Sequence, residues 1–139
     1  MKPVHFLACT LALIVVGTQI SSARSTYRPI ALKQYKLEKN AAVQKVGCQF
    51  CHVNAFGGAG WNGFGQALKT QLSSSSGVPQ ALFDLLKQNK DSDGDKVTDV
   101  LEVVAGTLPG DAKSIPTAKV ADLQAKLKKM GGVNAFKPQ

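Results

Sequence analysis

A mostly α fold is the class this sequence predicts, on three observations. Apolar residues recur three and four positions apart in successive segments, the period of an amphipathic helix. No segment alternates apolar and polar residues as a half-buried strand does. Proline and glycine fall at the edges of the periodic stretches, where helices start and stop.

The elements follow in order along the chain. Lys2, the apolar run Phe6 to Val16 and the small residues Ser21, Ser22 and Ala23 read as a secretory signal peptide cut after Ala23, so residues 1–23 are set aside from the fold. The run is shorter than the about 20 residues a membrane span needs. Lipid attachment at Cys9 is not expected, because most of the apolar segment follows that cysteine. Residues 24–139 then form one domain, close to the usual size of about 100–150 residues. A short tail reaches Pro29, and Leu32, Tyr35, Leu37, Ala42, Val43 and Val46 predict a helix from Ala31 to Val46. A Gly-rich loop leads to a second helix marked by Phe64, Leu68 and Leu72. Ser73 to Ser76 with Gly77 form a connector, and Pro79 opens a third helix through Leu86. An acidic loop over residues 91–102 runs into a helix ending at Gly106. Pro116 starts the last helix, whose stripe is Val120, Leu123, Leu127 and Met130, closed by Gly131 and Gly132.

Without Lys2 the chain carries 16 basic and 9 acidic side chains, a formal charge of +7. That surplus favours acidic partner proteins or anionic surfaces through long-range steering. Nucleic acid is not an expected partner: the basic residues are dispersed, almost all are lysine, and no nucleic-acid motif is present. No second long apolar segment follows the leader, so a periplasmic or secreted protein is expected.

Cys48 and Cys51 are the only cysteines left after the leader, His52 the only histidine, and Trp61 the only tryptophan of the chain. The order Cys48-Gln49-Phe50-Cys51-His52 is the Cys-x-x-Cys-His pattern of covalent haem attachment. Each thiol can add to one vinyl group of the porphyrin edge, and the adjacent imidazole then reaches the iron. A structural disulfide across two residues would remove little chain entropy. A thioredoxin-like pair wants a βαβ setting, which this chain lacks. A zinc site would need a fourth cysteine or histidine.

At these residues the chain resembles the c-type cytochromes. The resemblance implies a small single-domain cytochrome c-like helical fold around a covalent haem c, with Cys48 and Cys51 at the thioether positions and His52 as proximal ligand. The continuation HVNAFGGAGWNGFGQAL is similar to an element of bacterial secreted monohaem cytochromes in which a Gly-Gly turn and Asn-x-Phe-Gly follow the motif. Its glycines allow close approach of backbone to a flat ligand. Trp61, Phe56 and Phe64 are then expected against the porphyrin, with the Trp61 indole N–H within reach of a propionate. Ordinary core packing is the other reading of the same rings.

The sixth iron position is open on sequence. Bis-histidine ligation within one chain is excluded once His5 leaves with the leader. Met130, the one methionine beyond the leader, would raise the reduction potential as a ligand. It also continues the stripe of Val120, Leu123 and Leu127, as a core methionine does. Class I cytochromes usually carry the ligand methionine in a loop before the last helix, whereas Met130 ends that helix. An open site, or a lysine, an asparagine or a partner's group, completes the set.

The second constellation is DSDGDKVTDVLE. Asp91, Asp93, Asp95, the Val97 carbonyl, Asp99 and Glu102 occupy positions 1, 3, 5, 7, 9 and 12 of a calcium loop. Five carboxylates so close together repel one another without a counter-ion. An acidic N-terminal helix cap with no metal is the plainer reading. With its sequel the stretch resembles one repeat of the thrombospondin type 3 and related bacterial calcium-binding repeats, which implies bound Ca2+ with a structural role. The sixth loop position, normally glycine, is Lys96, which a left-handed backbone would strain by about 1 kcal/mol or more.

The resemblance implies a one-electron carrier between redox partners, not an enzyme. A haem-based gas sensor, a peroxidase-like protein with an open iron site, and a cytochrome subunit of a larger complex are the alternatives. A peroxidase would need a positioned distal acid or base, and no second histidine is available.

Overall fold

A computed structural model describes residues 26–139, so the expected signal peptide lies outside the described residues. Six α-helices follow one another: α1 Tyr27–Gln34, α2 Ala41–Lys45, α3 Gly63–Leu72, α4 Val78–Lys87, α5 Asp99–Ala105 and α6 Val120–Lys129. Two 3-10 turns, Gly47–Phe50 and Gly132–Phe136, complete the order. The described residues contain no strand, only a single bridge between His52 and Trp61. No described helix is long and apolar enough to cross a membrane. The mostly α class predicted from periodicity is the class observed.

The single helix expected over residues 31–46 is two helices. Tyr35 and Leu37 are both apolar, but two residues on a helix lie about 200° apart, so a straight helix could bury only one of them. The chain turns instead at Lys36, whose φ is 59°. The Leu37 N–H donates to the Leu32 carbonyl at 2.8 Å, closing the end of α1. Both Tyr35 and Leu37 are thereby buried. Asn40 restarts the helix, its side-chain oxygen accepting from the Val43 N–H at 3.0 Å. The expected tail is also corrected: α1 already begins at Tyr27, and Pro29 sits in its first turn, where no helical N–H bond is lost.

The last helix starts at Val120, not at Pro116. Residues 108–114 are pinned as turns instead. The Ser114 N–H donates to the Asp111 carbonyl at 2.7 Å, and the Leu108 N–H to Ser114 Oγ at 2.9 Å. Of the expected stripe, Leu123 is buried, Leu127 and Met130 pack partly against the core, and Val120 is exposed.

The core gathers around Tyr35, with ring centroids at 5.9 Å to Phe136, 6.0 Å to Phe50 and 6.5 Å to Phe64. Phe50 and Phe64 meet edge to face at 5.4 Å. Such pairs contribute about 0.5–1.5 kcal/mol each beyond area burial. The Tyr35 hydroxyl donates to the Leu82 carbonyl at 2.9 Å, and burial holds its pKa well above the ordinary value. α4 supplies the floor through Ala81, Leu82, Leu85 and Leu86. Phe136 reaches this cluster from the closing 3-10 turn, which no periodicity in the sequence announced.

Candidate functional site

The Cys-x-x-Cys-His segment is a tight turn leaving the core at Phe50. Both the Cys51 and His52 N–H groups donate to the Cys48 carbonyl, at 3.1 and 2.9 Å. Residues three and four apart on such a turn are neighbours, so the two cysteines and the histidine share one side of it. Gly47 enters with φ 58°, and a Cβ there would lie 2.6 Å from the Ala55 carbonyl oxygen, which also accepts the Cys48 N–H at 2.9 Å. Only glycine fits that position without strain. The following loop folds back: the Val53 N–H meets the Gly60 carbonyl at 3.0 Å, and the Asn62 N–H meets the Cys51 carbonyl at 3.1 Å. This brings Trp61 over His52, the rings stacked at 4.2 Å with 30° between their planes.

Both cysteines are free thiols. Burial, and after it the neighbouring Cys48, pushes the Cys51 thiol up to about 12, so it stays protonated at neutral pH. His52 Nδ1 is buried and has no hydrogen-bond partner. Around this half-buried set the chain exposes large apolar side chains: Val53 at 60 %, Phe56 at 97 % and Trp61 at 39 %. Phe64, expected on the same surface, is fully buried against Phe50 and Tyr35 and presents no face outside the core. Met130 lines a cleft of about 220 Å³ shared with Lys36, Leu37, Asn40, Val104 and Lys126, and no residue of the 47–65 segment lines that cleft.

The acidic loop is built from its own backbone. Asp91 accepts from the Gly94 and Lys96 N–H groups at 2.7 and 2.9 Å, Asp93 from the Asp95 N–H at 3.1 Å, and Asp95 from the Val97 N–H at 2.7 Å. One carboxylate oxygen from each of Asp91, Asp93 and Asp95 lies within 4.8 Å of the others. Val97 anchors the loop by burying its side chain. Glu102 is fully buried, and both its oxygens lack a partner, as do the buried Oδ2 atoms of Asp93 and Asp95. Burial, then the charges of Asp93, Asp95, Asp99 and Asp91, raises the Glu102 pKa to about 9. Burial also lifts Asp99 to about 6, against the hydrogen bonds it receives from Ser92.

Asp99, expected at position 9 of the loop, is engaged with Ser92. Its two oxygens accept from the Ser92 N–H and Oγ at 2.8 and 2.7 Å, so it fastens the second loop residue. Lys96 takes the left-handed backbone that the sequence flagged as costly, with φ 78°.

Sequence reasoning named Asn62 only as part of the Asn-x-Phe-Gly element and gave it no role. It caps α3 by accepting the Gly65 N–H at 2.8 Å, and its amide donates to the Gln49 carbonyl at 2.8 Å and the His52 carbonyl at 3.5 Å. The Asn-Gly step before an apolar period was the available signal of a helix cap. Comparison with protein-family models, curated proteins and solved structures gave no match.

Proposed function

We propose that this chain is an exported monohaem c-type cytochrome that carries single electrons between redox partners, with a calcium ion holding its 91–102 loop. One local observation carries the reading. Two unpaired thiols and an imidazole with an unpartnered buried nitrogen share a single turn, bordered by the exposed apolar side chains Val53, Phe56 and Trp61. This donor set fits a flat apolar group attached through two sulfurs and one histidine. Exposed apolar patches beside polar donors mark ligand surfaces.

Covalently bound haem would supply a one-electron couple that no side chain here has. Cys48 and Cys51 would hold the porphyrin edge and His52 the iron, while the Trp61 stack fixes the plane of the His52 ring. A dithiol-disulfide exchanger of the thioredoxin type wants a strand-helix-strand setting, and the regular elements of the described residues are helices and 3-10 turns only. The placement of Met130 in a separate cleft favours a sixth position filled by water, another side chain or a partner's group.

The acidic loop fits a hard divalent cation by the same kind of observation. Unpartnered buried oxygens of Asp93, Asp95 and Glu102 are costly without a positive charge among them. Among the described residues one ion pair is formed, Lys87 with Asp84 at 3.0 Å, and Lys126 is held by the Val104 carbonyl at 2.8 Å, while other, exposed lysines such as Lys39, Lys45, Lys69 and Lys128 are placed to steer acidic redox partners.

The test is to produce the full chain in a cell that attaches haem c to exported proteins. The expected product is coloured, periplasmic or secreted, and heavier than the processed polypeptide by one haem, while Cys51→Ala loses the two-sulfur attachment. A colourless product with the mass of the bare polypeptide refutes the reading. A near-infrared sulfur-to-iron band in the ferric state would assign methionine, whereas high-spin ferric haem that takes up carbon monoxide on reduction would indicate an open site and revive the sensor alternative.

A further inference from the structure

The first turn of α3 is wedged between the cation loop and the Cys-x-x-Cys-His turn. Residues 63 and 65 are two apart, about 200° around a helix, and so face opposite ways. A Cβ on Gly63 would run into the Ser92 carbonyl, and a Cβ on Gly65 would run into the Cys51 carbonyl. Ser92 is the second residue of the acidic loop and is held there by Asp99. Cys51 belongs to the thiol pair. Both neighbours therefore press backbone against backbone on one helical turn, with no side chain between to absorb a shift.

Asn62 completes the joint. Its amide donates to the Gln49 and His52 carbonyls, its oxygen holds the Gly65 N–H, and its own N–H donates to the Cys51 carbonyl. On its other side it is pressed by Gly110, in the segment that follows α5, where a Cβ would meet the Asn62 amide. Trp61, the residue before it, stacks on His52.

We infer that Asn62 and Gly63 are positioning residues that make occupancy of the 91–102 loop and the geometry of the Cys48–His52 turn interdependent. The inference rests on the calcium reading of that loop and not on the haem reading of the turn. A divalent cation among Glu102, Asp93 and Asp95 supplies the partner that their buried oxygens lack and fixes the loop. Ser92 then becomes a rigid wall for Gly63, and the start of α3 holds the Cys51 and His52 carbonyls in place through Asn62. Without the cation the loop relaxes, the wall gives way, and the turn opens more often. Coupling of this kind is reciprocal, so whatever occupies the Cys48–His52 turn tightens cation binding by the same factor.

The full chain in its free-thiol form tests this, because Trp61 is its only tryptophan. Calcium chloride is titrated while heat, Trp61 emission and the alkylation rate of Cys51 by a maleimide are followed, the modified cysteine being identified by peptide mass. The expected result is a saturating change in emission with the midpoint of the heat signal, and alkylation of Cys51 slowed about tenfold. Glu102→Gln is expected to abolish all three responses. Asn62→Asp keeps an oxygen to cap α3 but loses the amide donors; it should still bind calcium while its Cys51 rate no longer responds. Binding heat with unchanged emission and alkylation in the wild-type chain overturns the inference and leaves the calcium reading intact. Absence of binding heat overturns both. An Asn62→Asp chain that protects Cys51 as the wild type does removes Asn62 from the route, and the wild-type comparison decides the coupling even where that variant does not fold.

Discussion

Glu102 concentrates the chemistry of its loop in one side chain: fully buried, unpartnered at both oxygens, and held protonated up to about pH 9. Glu102→Gln keeps its shape and removes the charge that calcium would neutralise. In chelator the variant is expected to melt at or above the wild-type temperature near neutral pH. In excess calcium it should fail to gain the stabilisation that the calcium reading predicts for the wild type. Thermal melts with and without calcium check both halves. Lys96 is the second residue whose effect is readable alone. A left-handed backbone disfavours a side chain by about 1–2 kcal/mol, and glycine gives back about 0.5–1 kcal/mol in chain entropy. Lys96→Gly should therefore stabilise the chain by roughly 0.5 kcal/mol in denaturant titrations and tighten calcium binding measured by calorimetry. Both residues were legible in the sequence because loop positions are counted along the chain. The hold of Asp99 on Ser92 was not, since spacing says which carboxylates are near one another and not which polar hydrogens each oxygen accepts.

At the scale of elements, the loop and α5 behave as one titrating unit. Glu102 and Asp99 have folded pKa values of about 9 and about 6, above the ordinary 4.5 and 3.8. Groups that hold protons more tightly when folded stabilise the fold at low pH, and that stabilisation is lost as pH rises through the folded values. The calcium-free chain should therefore melt lower at about pH 8 than at about pH 5, and saturating calcium should erase or reverse the difference by favouring the ionised carboxylates. Calorimetric scans in chelator and in calcium at both pH values measure it. The helices themselves were legible where one apolar period ran unbroken, as in α3 and α4. The break between α1 and α2 escaped because the two-residue step from Tyr35 to Leu37 was counted into a single stripe. The start of α6 was misplaced because Pro116 is a permitted helix opener that here lies in irregular chain between the Ser114 turn and Val120.

Across the whole molecule, exposed lysines dominate and only Lys87 forms an ion pair among the described residues. If the chain exchanges electrons with an acidic partner, the second-order rate should fall steeply as ionic strength rises, since screening at about 0.1 M shortens the field to about 10 Å. Stopped-flow measurements over a salt series give the slope, and a flat series removes steering from the account. The fold class and the thiol-imidazole turn were legible because both are local patterns. The joint through Asn62, Gly63 and Ser92 was hidden, since it depends on segments about 30 residues apart meeting backbone to backbone.

Phe136 closes the ring cluster around Tyr35, and the Gln34 amide donates to its carbonyl at 2.9 Å across 102 positions of sequence. That clasp can form only once Phe136 has emerged, whereas the Cys48–His52 turn and the residues 55–65 that hold it are synthesised well before. If the chain attaches haem, removing residues 132–139 should leave that attachment competent while lowering the melting temperature, which absorbance and scanning calorimetry of the shortened chain would separate. On the haem reading, order of synthesis would let a still extended chain be loaded before the latch at Phe136 shuts.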